Sequence, residues 1–224
     1  MARSDEPQSL KDLNRRLDAM TPMVTGGTRA VPGEGPAHAK IMLVGEQPGD
    51  QEDLQGRPFV GPAGKLLDRA LAEAGIDRAK VYVTNAVKHF KFEQRGKRRL
   101  HSKPNAGEVK HYRWWLQKEL ELVRPKVVVA MGATAVLALA GKSMPIARNR
   151  GAGELGGRPA VITMHPSYLL RLRGDDERHK AFADLVADLR TAKAMAAAPM
   201  KPKLAAQTGM KRATVLRSRA RLAS

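Results

Sequence analysis

Cysteine is absent from all 224 residues. That excludes disulfides, thiolate metal sites and cysteine-ligated iron–sulfur clusters. Acidic side chains are scarce: 22 Asp and Glu stand against 40 Lys and Arg, a net charge of +18. Such an excess points first to a polyanionic partner. No run approaches the roughly 18–20 apolar residues of a membrane span. The opening Met1-Ala2-Arg3-Ser4-Asp5-Glu6 carries charges where a secretory signal needs an apolar stretch. No internal repeat is visible. These absences predict a cytoplasmic, nucleoid-associated protein working without cofactor, metal, membrane or obligate protein partner.

What is present supports a globular body. The hydrophobic share is 42%, and the length suits one α/β domain with a full core. Residues 201–224 hold seven basic side chains and no Asp or Glu, leaving 33 basic against 22 acidic residues on 1–200. The body is therefore basic without its tail. Residues 1–198 are expected to form the domain and 199–224 a basic C-terminal arm.

Apolar runs at Ile41–Val44, Val81–Val83, Lys126–Met131 and Ala160–Thr163 predict four strands. Helical spacing lies between and around them. Leu10, Leu13, Leu17 and Met20 share a face over residues 8–20. Leu66, Leu67, Ala70, Leu71 and Ala74 precede Gly75, a helix stop. Asn105 and Glu108 read as an N-cap pair ahead of Val109, Tyr112, Leu116, Leu120 and Val123. Thr134–Ala140 reads as a short helix, and residues 176–196 as the last. Strands alternating with helices predict an α/β fold, a three-layer α/β/α arrangement around a central, mostly parallel four-stranded sheet. Residues 25–38 and the basic stretch 88–103 read as loops.

Ligands on such sheets bind beyond the carboxyl ends of the strands. Glu46, Asn85, Gly132 and His165 each follow a predicted strand. One rim thus gathers three reactive side chains. Beside them runs Arg95-Gly96-Lys97-Arg98-Arg99-Leu100-His101. It concentrates charge that can hold phosphates and ends on an imidazole.

Five stretches taken together resemble the uracil-DNA glycosylase superfamily, most closely its UdgX branch, which crosslinks itself to uracil-containing DNA. They are Gly45-Glu46-Gln47-Pro48-Gly49-Asp50-Gln51-Glu52-Asp53, Pro58-Phe59-Val60-Gly61-Pro62-Ala63-Gly64 and Thr84-Asn85-Ala86-Val87-Lys88-His89-Phe90-Lys91-Phe92, with Lys97-Arg98-Arg99-Leu100-His101 and His165-Pro166-Ser167-Tyr168-Leu169-Leu170. Each is weak alone; their joint order and spacing are specific. The resemblance spans about residues 38–192 and implies single- or double-stranded uracil-containing DNA as partner. The reaction breaks deoxyribose C1′ from uracil N1, leaving a cationic sugar and an anionic base. An enzyme stabilises both charges where they develop, after the base has left the stack.

The resemblance implies a role for each residue. Phe59, one of only four Phe, supplies the stacking face; the plain alternative is a core aromatic. Asn85 offers a donor and an acceptor that match uracil O4 and N3–H, a pattern cytosine reverses. His165 hydrogen-bonds uracil O2. Glu46 supports the sugar cation and the nucleophile, Gln47 contacts the base, and Asp50 binds substrate or, with Asp53, braces the turn. Ser167 and Arg171 contact DNA, while Leu169, Leu170 or Arg171 fills the gap left by the base. Arg98 and Arg99 bind phosphates, and Arg99 also anchors the loop; Lys97 reads as solvated surface. His101 attacks C1′ and stays bonded to the sugar. The neighbouring arginines would repel a second positive charge there and keep the imidazole lone pair free.

The match departs from the family in two places. Leu100 replaces the usual Ile, a mild swap. Relatives also hold a structural iron–sulfur cluster through cysteines this chain lacks. Here Tyr112 stands near a ligand position and His89 has no thiolate partner. Packing of Leu13, Leu17, Tyr112 and Trp115 is the expected replacement. Two other readings stay open: a turnover glycosylase with water positioned by Glu46, and a non-enzymatic basic nucleic-acid-binding protein.

Overall fold

The computed structural model describes residues 6–199. Residues 200–224 of the expected basic arm lie outside the described residues. Five strands form one sheet: β1 (Ile41–Gly45), β2 (Val81–Asn85), β5 (Val127–Met131), β6 (Gly151–Leu155) and β7 (Arg158–Thr163), in the order β2-β1-β5-β7-β6. The first four in that order run parallel, and β6 returns antiparallel on β7. The mostly parallel sheet is as expected, with one strand more. β6 was invisible in the sequence because Gly151-Ala152-Gly153-Glu154 offers almost no apolar alternation.

The side-chain alternation of the strands builds two cores. Ile41, Leu43, Val81, Val83, Val127 and Val129 face one side. There they meet α3 (Pro62–Glu73) and α8 (Asp175–Ala197) through Leu67, Leu71, Leu185 and Leu189. Met42, Val44, Tyr82, Val128 and Ala130 face the other. They meet α4 (Ala106–Val123) and α5 (Ala133–Ala140) through Tyr112, Leu116, Leu120 and Val136. Burying each such leucine stabilises the fold by about 1.5–3 kcal/mol relative to exposure. The remaining helices are α1 (Leu10–Asp18), which packs on α4, then α2 (Asp50–Gln55), α6 (Ile146–Asn149) and α7 (Pro166–Leu169).

The start of α4 follows the sequence closely. Asn105 Oδ1 accepts from the Glu108 N–H at 2.9 Å, and Glu108 Oε2 accepts from the Asn105 N–H at 2.7 Å. That reciprocal pair satisfies two helix-end donors. Arg124 closes the helix in the left-handed region at φ 53°, and Pro125 prevents its continuation.

The basic stretch is not a loop. Strands β3 (Phe92–Arg95) and β4 (Arg98–His101) form an antiparallel hairpin with Phe92 opposite His101 and Arg95 opposite Arg98. Gly96, at φ 57°, supplies the positive φ that a two-residue hairpin turn requires. Gln47 closes the base of the hairpin. Its amide donates to the carbonyls of Lys91 and Ser102, each at 3.2 Å, and accepts from the Lys91 N–H at 3.2 Å.

Candidate functional site

The parallel strands end on one side of the sheet, and a cavity of about 930 Å³ opens there, lined among others by Glu46, Phe59, Asn85, His101 and His165. Phe59 and Asn85 converge at Gly45. A Cβ on that glycine would stand 2.5 Å from both Phe59 Cζ and Asn85 Oδ1. The Phe59 ring lies 5.9 Å from the His165 ring, tilted by 33°. Asn85 Oδ1 and His165 Nε2 are buried without a hydrogen-bond partner. Buried polar atoms are nearly always paired, so two orphans on one cavity leave hydrogen-bonding capacity open to a polar ligand.

The backbone of Phe59 is strained into this place. Its φ is 57°, a region that costs a non-glycine residue about 1–3 kcal/mol. Gly64 permits it: a Cβ there would lie 1.8 Å from the Phe59 carbonyl oxygen. Glu52 holds the same loop, its carboxylate accepting from the N–H of Gly61 at 2.8 Å and of Gly49 at 3.0 Å. Gly64→Ala is expected to displace the Phe59 ring and to lower stability by about 1–3 kcal/mol. Thermal melting measures the second effect, and quenching of a fluorescent base analogue the first.

His165 is poised as a neutral donor. Its Nδ1 accepts from the Ser167 N–H at 3.1 Å and lies 2.9 Å from Ser167 Oγ. The remaining proton therefore sits on Nε2, aimed at the cavity. Burial pushes its pKa down to about 4, against the pull of Glu46, so the ring is neutral at neutral pH. An unfolded chain would protonate it near 6.5. The stability from keeping it neutral is complete above pH 6.5 and is lost as pH falls toward 4, by at most about 3 kcal/mol. Melting curves of wild type and His165→Gln between pH 4 and 7 are expected to converge toward the acid end.

Glu46 links the two halves of the site. Its Oε2 accepts from Thr134 Oγ1 at 2.5 Å, and its Oε1 lies 3.3 Å from His101 Nε2. Burial alone would push this carboxyl up; hydrogen bonds from His101 and Thr134 outweigh it and hold it below the ordinary range. Glu46 is thus a carboxylate at neutral pH. Thr134 escaped the sequence reading. Its only signal was its place one residue inside the helix that follows β5 and Gly132.

His101 is half-exposed, with its side chain at 49%. Its Nε2 stands beside the Glu46 carboxylate, 3.3 Å from Oε1. Arg99 is neutralised: it donates to Asp50 Oδ1 at 2.6 Å and to Asp53 Oδ2 at 2.5 Å. It also lies over the rings of Phe90 and Phe92, at 5.6 and 5.1 Å. Asp53 is held in turn by Thr28 Oγ1 at 2.7 Å. Arg99 is therefore the anchor of the hairpin and is not free for phosphate. Asp50, expected to bind substrate or to brace the turn, pairs with Arg99 and braces the hairpin. Arg98, Lys97 and Arg95 remain exposed along the hairpin.

Further expectations are redistributed. Gln47 lines the cavity, but its side chain is committed to the hairpin base. Ser167, expected to contact DNA, orients His165 and accepts from Arg171 at 3.2 Å. Leu169 is fully buried in the core and cannot fill a gap in DNA; Leu170, 50% exposed, can. Arg171 lines the cavity mouth.

The residues do not fit an iron–sulfur cluster. There is no cysteine to ligate one, and His89 Nδ1 is 2.8 Å from the Tyr112 hydroxyl, which also accepts from the Met23 N–H at 3.1 Å. Leu13, Leu17 and Tyr112 are buried around this joint, with Trp115 partly so. Among the described residues, no group of three or more His, Asp or Glu is placed to hold a metal ion. No helix among them is long and apolar enough to cross a membrane.

Residues 32–190 match the family model described as the uracil DNA glycosylase superfamily. A type-4 uracil-DNA glycosylase of Thermotoga maritima is 40% identical over 167 residues, covering 73% of this chain and 83% of that protein. One of Pyrobaculum aerophilum is 34% identical over 191 residues, covering 78% and 91%. A type-5 uracil-DNA glycosylase of the same organism is 31% identical over 159 residues, covering 63% and 67%.

Proposed function

The chain belongs to the uracil-DNA glycosylase superfamily, and from that premise we propose that it excises uracil from DNA and captures the abasic sugar on His101. One observation carries the reading. Two buried, unpartnered polar atoms, Asn85 Oδ1 and His165 Nε2, face a cavity walled by the Phe59 ring. Uracil extruded into it stacks on Phe59, and its N3–H donates to Asn85 Oδ1. The Asn85 amide N–H donates to O4. The His165 Nε2–H meets O2.

The C1′–N1 bond then breaks, and its electron pair leaves with the base. His165 stabilises the charge growing on O2 by a hydrogen bond, strongest when the base is most anionic. The Glu46 carboxylate faces the sugar cation. The new bond forms between a His101 imidazole nitrogen and C1′. The ring proton passes to Glu46, 3.3 Å from Nε2. The products are a neutral sugar-linked imidazole, a protonated carboxyl and a uracil anion, so charge is conserved. An imidazole held beside the sugar outcompetes water through proximity.

A second reading is favoured by the relatives, which are named type-4 uracil-DNA glycosylases. In it Glu46 positions water, the enzyme turns over and His101 only touches DNA. Incubation with a uracil-bearing oligonucleotide, then heating in SDS and electrophoresis, separates the two. A band at the summed mass of protein and abasic strand supports capture; free abasic strand supports turnover. Release of no uracil at all would leave only a basic nucleic-acid-binding protein.

The proposal extends to chain organisation. Residues 1–198 act as the catalytic unit, and 199–224 serve as a basic arm on phosphates. Removing 201–224 is then expected to weaken DNA affinity and its salt dependence while leaving the preference for uracil intact.

A further inference from the structure

Asn85 is the last residue of β2, and β2 is an edge strand. A residue on a central strand is held from both sides. Asn85 has β1 on one side only, in register with Gly45. On the open side, segment 31–34 covers the strand. Glu34 exchanges two backbone hydrogen bonds with Val83, at 2.9 and 2.8 Å, and the Val31 N–H donates to the Lys88 carbonyl at 2.8 Å.

Against this edge lies a charged pair that the base-cleaving chemistry does not use. The side chains of Lys88 and Glu119 are 1% and 2% exposed, with Nζ 2.6 Å from Oε2. The same ammonium donates to Thr84 Oγ1 at 2.6 Å and to the Asn85 carbonyl at 2.9 Å. Glu119 accepts from the Thr84 hydroxyl at 3.0 Å, the Tyr82 hydroxyl at 3.3 Å and the Gly33 N–H at 3.1 Å. One carboxylate thus joins α4, β2 and the covering segment. Through Lys88 it also joins the peptide that carries Asn85.

Removing two charges from water is unfavourable, and a well-packed apolar pair of similar volume often serves a fold as well or better. Stability alone therefore does not account for Lys88 and Glu119. What an apolar pair cannot do is donate a hydrogen bond to the Asn85 carbonyl. We propose that Lys88 and Glu119 are positioning residues for base recognition: the buried pair fixes the Asn85 peptide on the open side of its edge strand and so sets how its amide meets uracil. The inference rests on the uracil-reading role given to Asn85 above.

The test is the double variant Lys88→Met/Glu119→Leu, which leaves neither charge unpaired, together with Glu119→Gln, which keeps an acceptor for Gly33 and Thr84. Each is first melted, and rates are then measured well below the midpoint. In the double variant, uracil release or capture at saturating oligonucleotide is expected to slow on the order of 10²-fold, as for a displaced binding group. The preference for uracil over cytosine should narrow with it, while oligonucleotide affinity, set by surface charge, changes little. Glu119→Gln should fall between. Wild-type rate and selectivity in the double variant, or in Glu119→Gln should the double variant not fold, would overturn the inference and leave the parent reading standing. If the wild-type protein neither releases nor captures uracil, the parent reading fails instead.

Discussion

His101→Ser is expected to remove the SDS-resistant protein–DNA band while uracil is still released. Serine keeps a polar side chain but places a far weaker nucleophile farther from the sugar. Covalent yield should drop by at least about 10²-fold. On the proposed reading base departure depends on Glu46, Asn85, Phe59 and His165; of these only Glu46 contacts His101, and Thr134 still holds its carboxylate. Uracil release should therefore stay within about tenfold of wild type. The space vacated beside Glu46 admits water, so the variant should turn over where wild type stops after one event. Burst kinetics on excess oligonucleotide separate these behaviours. An undiminished band from the serine variant would take His101 out of the reaction.

The second large effect is expected at Asn85. Asn85→Ala removes both proposed hydrogen bonds to the pyrimidine edge and leaves uracil O4 and N3–H unpaired in the pocket. Each buried group left unpaired costs about 1–3 kcal/mol. Together they should reduce kcat/KM for uracil release or capture by about 10²–10⁴-fold. Affinity for the oligonucleotide as a whole should barely change, because exposed Arg95, Lys97 and Arg98 remain. The same reasoning predicts that the wild-type protein rejects cytosine, since its edge pattern leaves the Asn85 amide facing like against like. A variant that handles uracil normally would place recognition elsewhere, for instance on backbone groups of the Glu46–Gly49 turn.

Much of this site was legible in the sequence because parallel strands end on one rim. Four short apolar runs sufficed to bring Glu46, Asn85, Gly132 and His165 together, and the cavity lies there. The Asn105–Glu108 cap was readable because both partners lie within one turn. What escaped depends on contacts distant in sequence. Nothing local joins Thr134 to Glu46, 88 residues apart, or Arg99 to Asp50, 49 apart. The hairpin escaped because its strands are charged on both faces and lean on Arg99, Phe90 and Phe92 rather than on alternating apolar side chains. Helix α2 escaped because Asp50-Gln51-Glu52-Asp53 reads as a polar turn, although Glu52 and Asp53 point inward to hold backbone and hydroxyl groups.

The hairpin is fastened at its base by Gln47 and along β4 by Arg99, whereas no neighbouring atom stands within 4 Å of a Cβ built on Gly96 at its tip. Insertions are best tolerated at such exposed tips. A short peptide tag or dye-bearing residue grafted between Gly96 and Lys97 would leave the imidazole end of the arm seated. Given capture on His101 as proposed, the protein would then become a labelled reagent that marks lesions in place.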